Sequence, residues 1–137
     1  MSADDNVRIV KTTMDELMRG DPGPLLSAMT EDVVIKAVLG EGTPISGDFR
    51  GKDGVLRYLT LLNEVMEIRE AVTTDITASE GHVVMLGFEK ARVRRTGKML
   101  DCEIATVFSM RDGKIARLVA FADMSAIMDA YRPEGAV

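Results

Sequence analysis

The carboxylate of Glu89 is the group in this sequence that best fits acid–base chemistry. Strand alternation places it on the same face as Met85 and Ala91, so it is a lone carboxylate on an otherwise apolar face. Burial among apolar side chains disfavours the charged form and raises the pKa toward the range of a general base. A structural role stays open, because a strand carboxylate can also reach the mouth of a cavity or accept a hydrogen bond from the amino end of a helix.

Asp123 is the second acid–base candidate, and it has a competing structural role. It directly precedes Met124 and Ser125 at a predicted helix start, where an aspartate serves as an N-cap worth about 1 kcal/mol. The single histidine, His82, stands in a predicted turn with Gly81 and is expected to be solvated. One histidine and one cysteine do not build a metal site, and the acidic residues lack calcium-loop spacing. We therefore expect neither a metal nor a cofactor.

The charge balance argues against two classes of partner. Lysine and arginine number 17 against 22 aspartates and glutamates, and the net charge of -5 would repel nucleic-acid phosphates and anionic membrane surfaces. The sequence has no apolar run of about 18 residues, and its single cysteine, Cys102, cannot form an internal disulfide. A cytoplasmic protein is therefore expected. The length of 137 residues fits one domain with a substantial core.

Three helices are predicted in the first half of the chain. Apolar residues three or four positions apart, beginning at Val7, predict a helix that Gly20 ends. Asp21 then caps a short second helix with Pro22 at its first position. A third amphipathic helix covers residues 55–66.

Strands dominate the rest of the pattern. A β-branched run from Val33 to Leu39 predicts a strand, and the glycine-rich stretch 40–51 predicts a loop. From Arg69 onward the apolar period changes to 2, which predicts a meander of four strands before a last helix over 125–131. The turns of the meander lie at 79–82, 96–97 and 112–113. Helices then gather on one face of a curved antiparallel or mixed sheet, an α+β architecture.

The long hairpin with a turn at 96–97 can be placed in register. If that turn has two residues, Arg92 faces Asp101 and Lys90 faces Glu103. Two pairs of opposite charge on one face support this register. The charged face is then solvated or lies at a subunit contact.

The opposite, apolar face of the hairpin places Glu89 across from Ile104 in that register. We expect inward-facing side chains of the helices and strands to line a pocket for an apolar small molecule. The candidates are Met14, Met18, Ile35, Ala37, Leu59, Met85, Leu100, Ile104, Thr106, Phe108 and Ala120.

Three short motifs carry a resemblance to a known superfamily. They are Gly20-Asp21 after the first helix, Phe49-Arg50-Gly51-Lys52-Asp53 before the third, and Asp112-Gly113-Lys114-Ile115 between the last strands. In this order and spacing the chain resembles the SnoaL-like branch of the nuclear transport factor 2 (NTF2) superfamily, to which ketosteroid isomerase is related. The resemblance covers about residues 5–132. It implies one domain over 1–137, with a cone-shaped barrel wrapped around the N-terminal helices.

The resemblance does not carry over the catalytic set of ketosteroid isomerases. By motif position, their tyrosine falls at Thr13, their base at Ala37, and their second aspartate at Thr106 or Ala105. Isomerisation by that mechanism is therefore not expected. SnoaL-like polyketide cyclases bear an acid–base aspartate just before the final helix, and Asp123 occupies what looks like that position.

Limonene-type epoxide hydrolases are similar over residues 96–115. Their arginine and aspartate pair falls on 87–89, their second aspartate on Ala120, and their water-holding tyrosine and asparagine on Ile35 and Ala37. Only the carboxylate survives, as Glu89. Without its partners, the epoxide mechanism loses both the positioning of water and the protonation of the leaving oxygen.

Three functions follow as alternatives. The first is an enzyme of the SnoaL-like type that moves a proton on an apolar, carbonyl-bearing substrate through Asp123 or Glu89 without a cofactor. The second is a protein that binds an apolar metabolite without chemistry, and the third is a dimerisation module. Because Val84, Leu86 and Phe88 would form an outward apolar patch, we expect a homodimer.

Overall fold

The helices and strands follow the predicted order with one addition. The computed structural model describes residues 2–38, 43 and 45–132. The helices are α1 (Ala3–Met18), α2 (Gly23–Ser27), α3 (Gly51–Val65) and α4 (Met124–Tyr131). The strands are β1 (Met29–Val38), β2 (Gly47–Arg50), β3 (Met66–Ala78), β4 (His82–Val93), β5 (Met99–Arg111) and β6 (Lys114–Ala122). The addition is β2, which falls in the stretch predicted as a loop; residues 39–42 and 44, including the predicted strand end at Leu39, lie outside the described part.

The strands form one mixed sheet in the order β2-β1-β6-β5-β4-β3. Neighbouring strands are antiparallel except β1 and β6, which run parallel. The α+β class with a mixed sheet is therefore confirmed. The sheet formed by the described residues does not close into the expected barrel, because β2 and β3 remain as free edges. Among the described helices, none has the length and apolar character needed to span a bilayer.

Helix boundaries follow the local signals with small shifts. Gly20 has φ of +94°, a left-handed conformation that ends α1 as predicted. The second helix begins at Gly23, whose N–H donates to the Asp21 carboxylate at 2.9 Å, so Pro22 is the N-cap and not the first helical residue. The change from helical to strand periodicity falls at Met66, three residues before the predicted position.

The predicted register of the β4–β5 hairpin is wrong by two residues. Lys90 lies opposite Asp101, and Arg92 lies opposite Met99. The turn is longer than predicted, because residues 94–98 all lie between the strands. Its Thr96 hydroxyl donates to the carbonyl of Ala130 at the end of α4, at 2.6 Å.

This tertiary hydrogen bond supplies a partner for a carbonyl that the helix leaves unpaired, and a two-residue turn would not present the same donors. A shift of two residues keeps every side chain on its predicted face. Glu103 is accordingly exposed on the outward face, and Glu89 lies opposite Cys102 instead of Ile104.

Two apolar clusters fill the space between the sheet and the helices. The first cluster contains Val10, Leu25, Met29, Val33, Ile35, Phe49, Val55, Val83, Phe108, Ile115 and Leu118. The second cluster contains Ala37, Ile45, Met66, Ala91, Val93, Leu100, Cys102, Ile127, Ala130 and Tyr131. Each is built mainly from the inward faces of the strands, closed by α1 and α3 in the first cluster and by α4 in the second.

Candidate functional site

Glu89 projects from the inward face of β4, between the residues that belong to the two clusters. Met85 packs against the first cluster and Ala91 is buried in the second, while Glu89 belongs to neither. Its side chain is partly buried, whereas the next residue, Lys90, is exposed. On the edge strand β3, the residue opposite Glu89 is Ala71, which is exposed. The carboxyl group therefore lies beside an open side of the interior.

The Glu89 carboxyl group is desolvated without compensation. Burial raises its pKa above the ordinary value of 4.5, and no hydrogen bond or ion pair from the described residues opposes that rise. An unpaired carboxylate in such surroundings is a stronger base than an exposed one and holds a proton nearer to neutral pH. The sequence prediction of a raised pKa at Glu89 agrees with this electrostatic environment.

Tyr58 on α3 lies within electrostatic reach of Glu89 and was not among the site residues predicted from the sequence. Burial raises the pKa of its phenol to about 12, and the negative charge of Glu89 adds to the rise. Its ring packs edge-on against Phe49 with centroids 5.2 Å apart. Tyr58 follows Val55 by three positions and so lies on the inward stripe of the helix, a spacing that could have identified it.

Cys102 lies directly opposite Glu89 on β5. Its pKa rises to about 11, first through burial and then through the negative charges of Glu89, Asp123 and Asp101. The thiol therefore stays protonated at neutral pH and is a poor nucleophile. Glu89 and Tyr58 are the other two groups at this place whose pKa is raised by burial.

Three of the four side chains in one row across the inward face of the sheet are short. The row consists of Ala37 on β1, Ala120 on β6, Thr106 on β5 and Met85 on β4. Thr106 is partly buried and adds a hydroxyl group to this row.

Gly87 allows the backbone of the edge strand β3 to approach β4 closely, two residues before Glu89. A Cβ atom at this position would lie 2.0 Å from the carbonyl oxygen of Val72 on β3. The pairing of β3 with β4 is also irregular here, between Thr73 and Asp75. A bulge of this kind increases the local twist of a sheet and commonly borders a functional site.

Most of the predicted pocket residues belong to one of the two clusters. Met14, Ile35, Leu59, Met85, Phe108 and Ala120 belong to the first cluster or pack against it, and Ala37, Leu100 and Ile104 do so in the second. Thr106 lies between them on β5. Met18 is a correction, because its side chain is 55% exposed in the last turn of α1 and faces solvent.

Asp123 is the N-cap of α4, as its local sequence predicted. Its carboxylate accepts a hydrogen bond from the N–H of Ala126 at 3.2 Å, and the residue is exposed. Its charge reaches Cys102, but it is separate from the Glu89 and Tyr58 pair. His82 begins β4 and is exposed, as predicted.

Two concavities lie away from the Glu89 carboxyl group. A cavity of about 430 Å³ opens on the outward face of the sheet, where Leu86 and Phe121 are among the lining residues. A groove of about 320 Å³ runs between Lys11 and Asp15 of α1 and the middle of β3, and it reaches Met85. The outward cavity is the larger of the two, and Glu89 lines neither of them. In the described ranges, no three histidine, cysteine, aspartate or glutamate residues are grouped to hold a metal ion.

Comparison with known proteins identifies a family model and many related folds. The model of the SnoaL-like domain matches residues 10–118. No curated protein matches the sequence. An NTF2-like protein from Burkholderia xenovorans has a TM-score of 0.86 at 26% identity, over 96% of this chain and 99% of that chain.

Two further solved structures share the fold at lower identity. TerC, crystallised with polyporic acid, has a TM-score of 0.82 at 22% identity, over 92% of this chain and 97% of that chain. A proposed SnoaL-like polyketide cyclase from Mesorhizobium loti has a TM-score of 0.71 at 15% identity, over 84% of this chain and 97% of that chain. At these identities the two structures show a common fold alone.

Proposed function

This chain belongs to the SnoaL-like domain family, and we propose that it holds a small, mostly apolar, carbonyl-bearing molecule between its helices and the inward face of its sheet. The observation that carries the proposal is the uncompensated burial of Glu89 beside Tyr58. The short side chains of Ala37, Ala120 and Thr106 support it, because they take up little of the volume between the sheet and the helices. The crystallisation of TerC, a protein of this fold, with polyporic acid also supports a small-molecule ligand.

The proposed chemistry is proton transfer next to the carbonyl group. The Glu89 carboxylate takes a proton from the carbon beside the carbonyl, and the electron pair moves to the carbonyl oxygen to give an enolate. The Tyr58 hydroxyl, whose pKa of about 12 keeps it protonated at neutral pH, donates a hydrogen bond to that oxygen. Return of the proton to the same or another carbon completes an isomerisation or a cyclisation. No cofactor takes part in these steps.

Binding without chemistry is the second candidate, and one observation favours it. The described residues provide no hydrogen bond that orients the Glu89 carboxylate, whereas a catalytic base is normally held in place by a partner. Thr13, at the position of the tyrosine of ketosteroid isomerases, donates its hydroxyl to the carbonyls of Ile9 and Val10 of its own helix. It therefore does not replace the missing donor.

Solvent exchange of a simple ketone separates the two candidates. The probe is 2-tetralone, a bicyclic apolar ketone whose acidic protons exchange with deuterium oxide and are followed by proton NMR. We expect the protein to accelerate this exchange, and Glu89→Gln to slow it about 100-fold because the base is lost. The matched control is Glu103→Gln, an exposed carboxylate on the outward face of the neighbouring strand.

The outcome assigns the function directly. Binding of 2-tetralone without accelerated exchange would leave the binding protein as the function. Equal exchange by wild-type protein and Glu89→Gln would show that Glu89 is not the base. Absence of binding together with absence of exchange would contradict the proposed interior site.

We also propose that two copies pair through the outward face of the sheet. Leu86 is 43% exposed and Phe121 is 45% exposed, and both line the outward cavity. They belong to one row across the sheet through Ala105. A second copy that covers this row would remove the exposed apolar area from water.

A pair of leucine variants tests this assembly. Leu86→Lys should shift the mass measured by light scattering at micromolar concentration from dimer to monomer. Leu56→Lys is the control, because Leu56 is 44% exposed on α3, away from the sheet. A monomeric mass for the wild-type protein would contradict the assembly and leave the interior site unaffected.

A further inference from the structure

Tyr131, in the last turn of α4, has a buried hydroxyl group with no partner. The residue is 6% exposed, and within the described residues its hydroxyl oxygen makes no hydrogen bond. A phenylalanine would fill the same volume without the free-energy cost of burying an unpaired hydroxyl. The Tyr131 hydroxyl is therefore a polar group in the second cluster that the packing of the cluster does not require.

Residues of the β4–β5 turn fix the position of Tyr131. The carbonyl of Ala130 accepts from the Thr96 hydroxyl at 2.6 Å, and the carbonyl of Asp129 accepts from the Lys98 ammonium at 3.4 Å. The guanidinium of Arg95 lies over the Tyr131 ring, 5.6 Å from its centroid. These contacts fix the end of α4 through the β4–β5 turn and leave the hydroxyl itself unpaired.

The surroundings of Tyr131 connect it to the proposed site. It packs in the second cluster with Cys102, which lies opposite Glu89 across the β4–β5 ladder. The same cluster contains Ala37 and Ala91, both buried residues with short side chains. Tyr131 thus belongs to the end of the interior under α4, and the Glu89 and Tyr58 pair lies further along the same inward face.

We propose that the Tyr131 hydroxyl binds a second polar atom of the ligand, so that the site takes an apolar ring system that bears one oxygen at the Glu89 end and another at the α4 end. The inference rests on the proposed function, since it needs a ligand in the interior. It names the ligand class as a polyoxygenated ring compound. Tyr131 is a binding residue in this account, and proton transfer stays with Glu89.

The test compares two ketones that differ in one hydroxyl group, 2-tetralone and 6-hydroxy-2-tetralone. We expect the wild-type protein to prefer the hydroxylated ketone, and Tyr131→Phe to reduce that preference about tenfold, the effect of one lost hydrogen bond. The control is Tyr58→Phe, which should weaken the binding of both ketones and keep their ratio. A preference that Tyr131→Phe leaves unchanged would overturn the inference while the proposed function stands. Failure of both ketones to bind the wild-type protein would overturn both proposals.

A second readout uses the folded wild-type sequence. The chain has two tyrosines and no tryptophan, so labelling with 3-fluorotyrosine gives one fluorine NMR signal for each tyrosine. Tyr58→Phe assigns the remaining signal to Tyr131. Addition of 6-hydroxy-2-tetralone should shift the Tyr131 signal more than 2-tetralone does. Equal shifts with the two ketones would contradict a contact between this hydroxyl and the ligand.

Discussion

Glu89 on β4 and Cys102 on β5 lie directly opposite each other on the inward face of the sheet. Burial raises the pKa of the Cys102 thiol to about 11, and the charge of Glu89 is the second cause of the rise. The thiol, which is buried, therefore reports the charge state of the partly buried carboxyl group across the ladder.

Alkylation of Cys102 should show this relationship. We expect slow reaction with iodoacetamide at neutral pH in the folded protein, because the thiolate is scarce. In Glu89→Gln, the thiol pKa obtained from the pH dependence of the rate should fall below about 11 but stay above 9.0, since burial is the larger cause. Glu103→Gln should leave it unchanged. A thiol pKa that is the same in all three proteins would contradict the placement of Glu89.

The ionisation of Tyr58 gives an independent measure of the interior. In Tyr131→Phe, Tyr58 is the remaining tyrosine, and the ultraviolet absorbance of tyrosinate follows it without interference from tryptophan. We expect its pKa at about 12, and a lower value when Glu89→Gln is added, because the neighbouring charge is removed. A pKa near the ordinary value of 10.0 would show that the phenol is solvated.

Gly87 should not tolerate a side chain. Alanine at this position would put its Cβ atom 2.0 Å from the backbone oxygen of Val72, and a paired strand cannot move away easily. We expect Gly87→Ala to lower the free energy of unfolding by about 2 kcal/mol or more. Gly81→Ala is the control, because no atom lies within 4 Å of its Cβ position, and its effect should stay within about 0.5 kcal/mol. Equal urea unfolding curves for the two variants would contradict the close approach of β3.

Asp123 should act as a helix cap and not as a catalytic group. Asp123→Ala removes the acceptor for the Ala126 N–H and should cost about 1 kcal/mol of unfolding free energy. Asp123→Asn keeps an acceptor and should retain most of that stability. The exchange of 2-tetralone should continue in Asp123→Asn. Loss of exchange at unchanged stability would move the acid–base role from Glu89 to Asp123.

Local sequence patterns predicted the structural features that depend only on residues close together in the chain. Gly20 ends α1, Asp123 caps α4, and alternation along β4 places Glu89 inward, because a backbone conformation, a cap and a strand period are properties of a short segment. The two-residue shift in the hairpin was not predictable in this way. It depends on the hydrogen bond from Thr96 to Ala130, and these residues are far apart in the sequence.

The sequence did not predict how the helices and strands of the site lie relative to one another. Tyr58 lies on the inward stripe of α3, but the effect of the Glu89 charge on it depends on where that helix crosses the sheet. Met18 has an apolar side chain at the correct helical spacing, yet the helix ends there and leaves it exposed. In both cases tertiary contacts decide whether the side chain is buried. Periodicity predicts which face of a helix is apolar, but it does not predict what packs against that face.

The unpaired burial of Glu89 is tested most directly by comparing the unfolding free energies of Glu89→Gln and the wild-type protein as a function of pH. Because the folded protein raises the pKa of Glu89 above 4.5, the wild-type carboxyl group favours folding below that pH and loses its contribution as the pH rises through the folded pKa. Glu89→Gln has no such loss. Urea unfolding should therefore give nearly equal stabilities in acid and a more stable Glu89→Gln at neutral pH. A Glu89→Gln protein that is less stable at neutral pH, with the deficit disappearing in acid, would show that Glu89 is a paired structural carboxylate and would contradict the account.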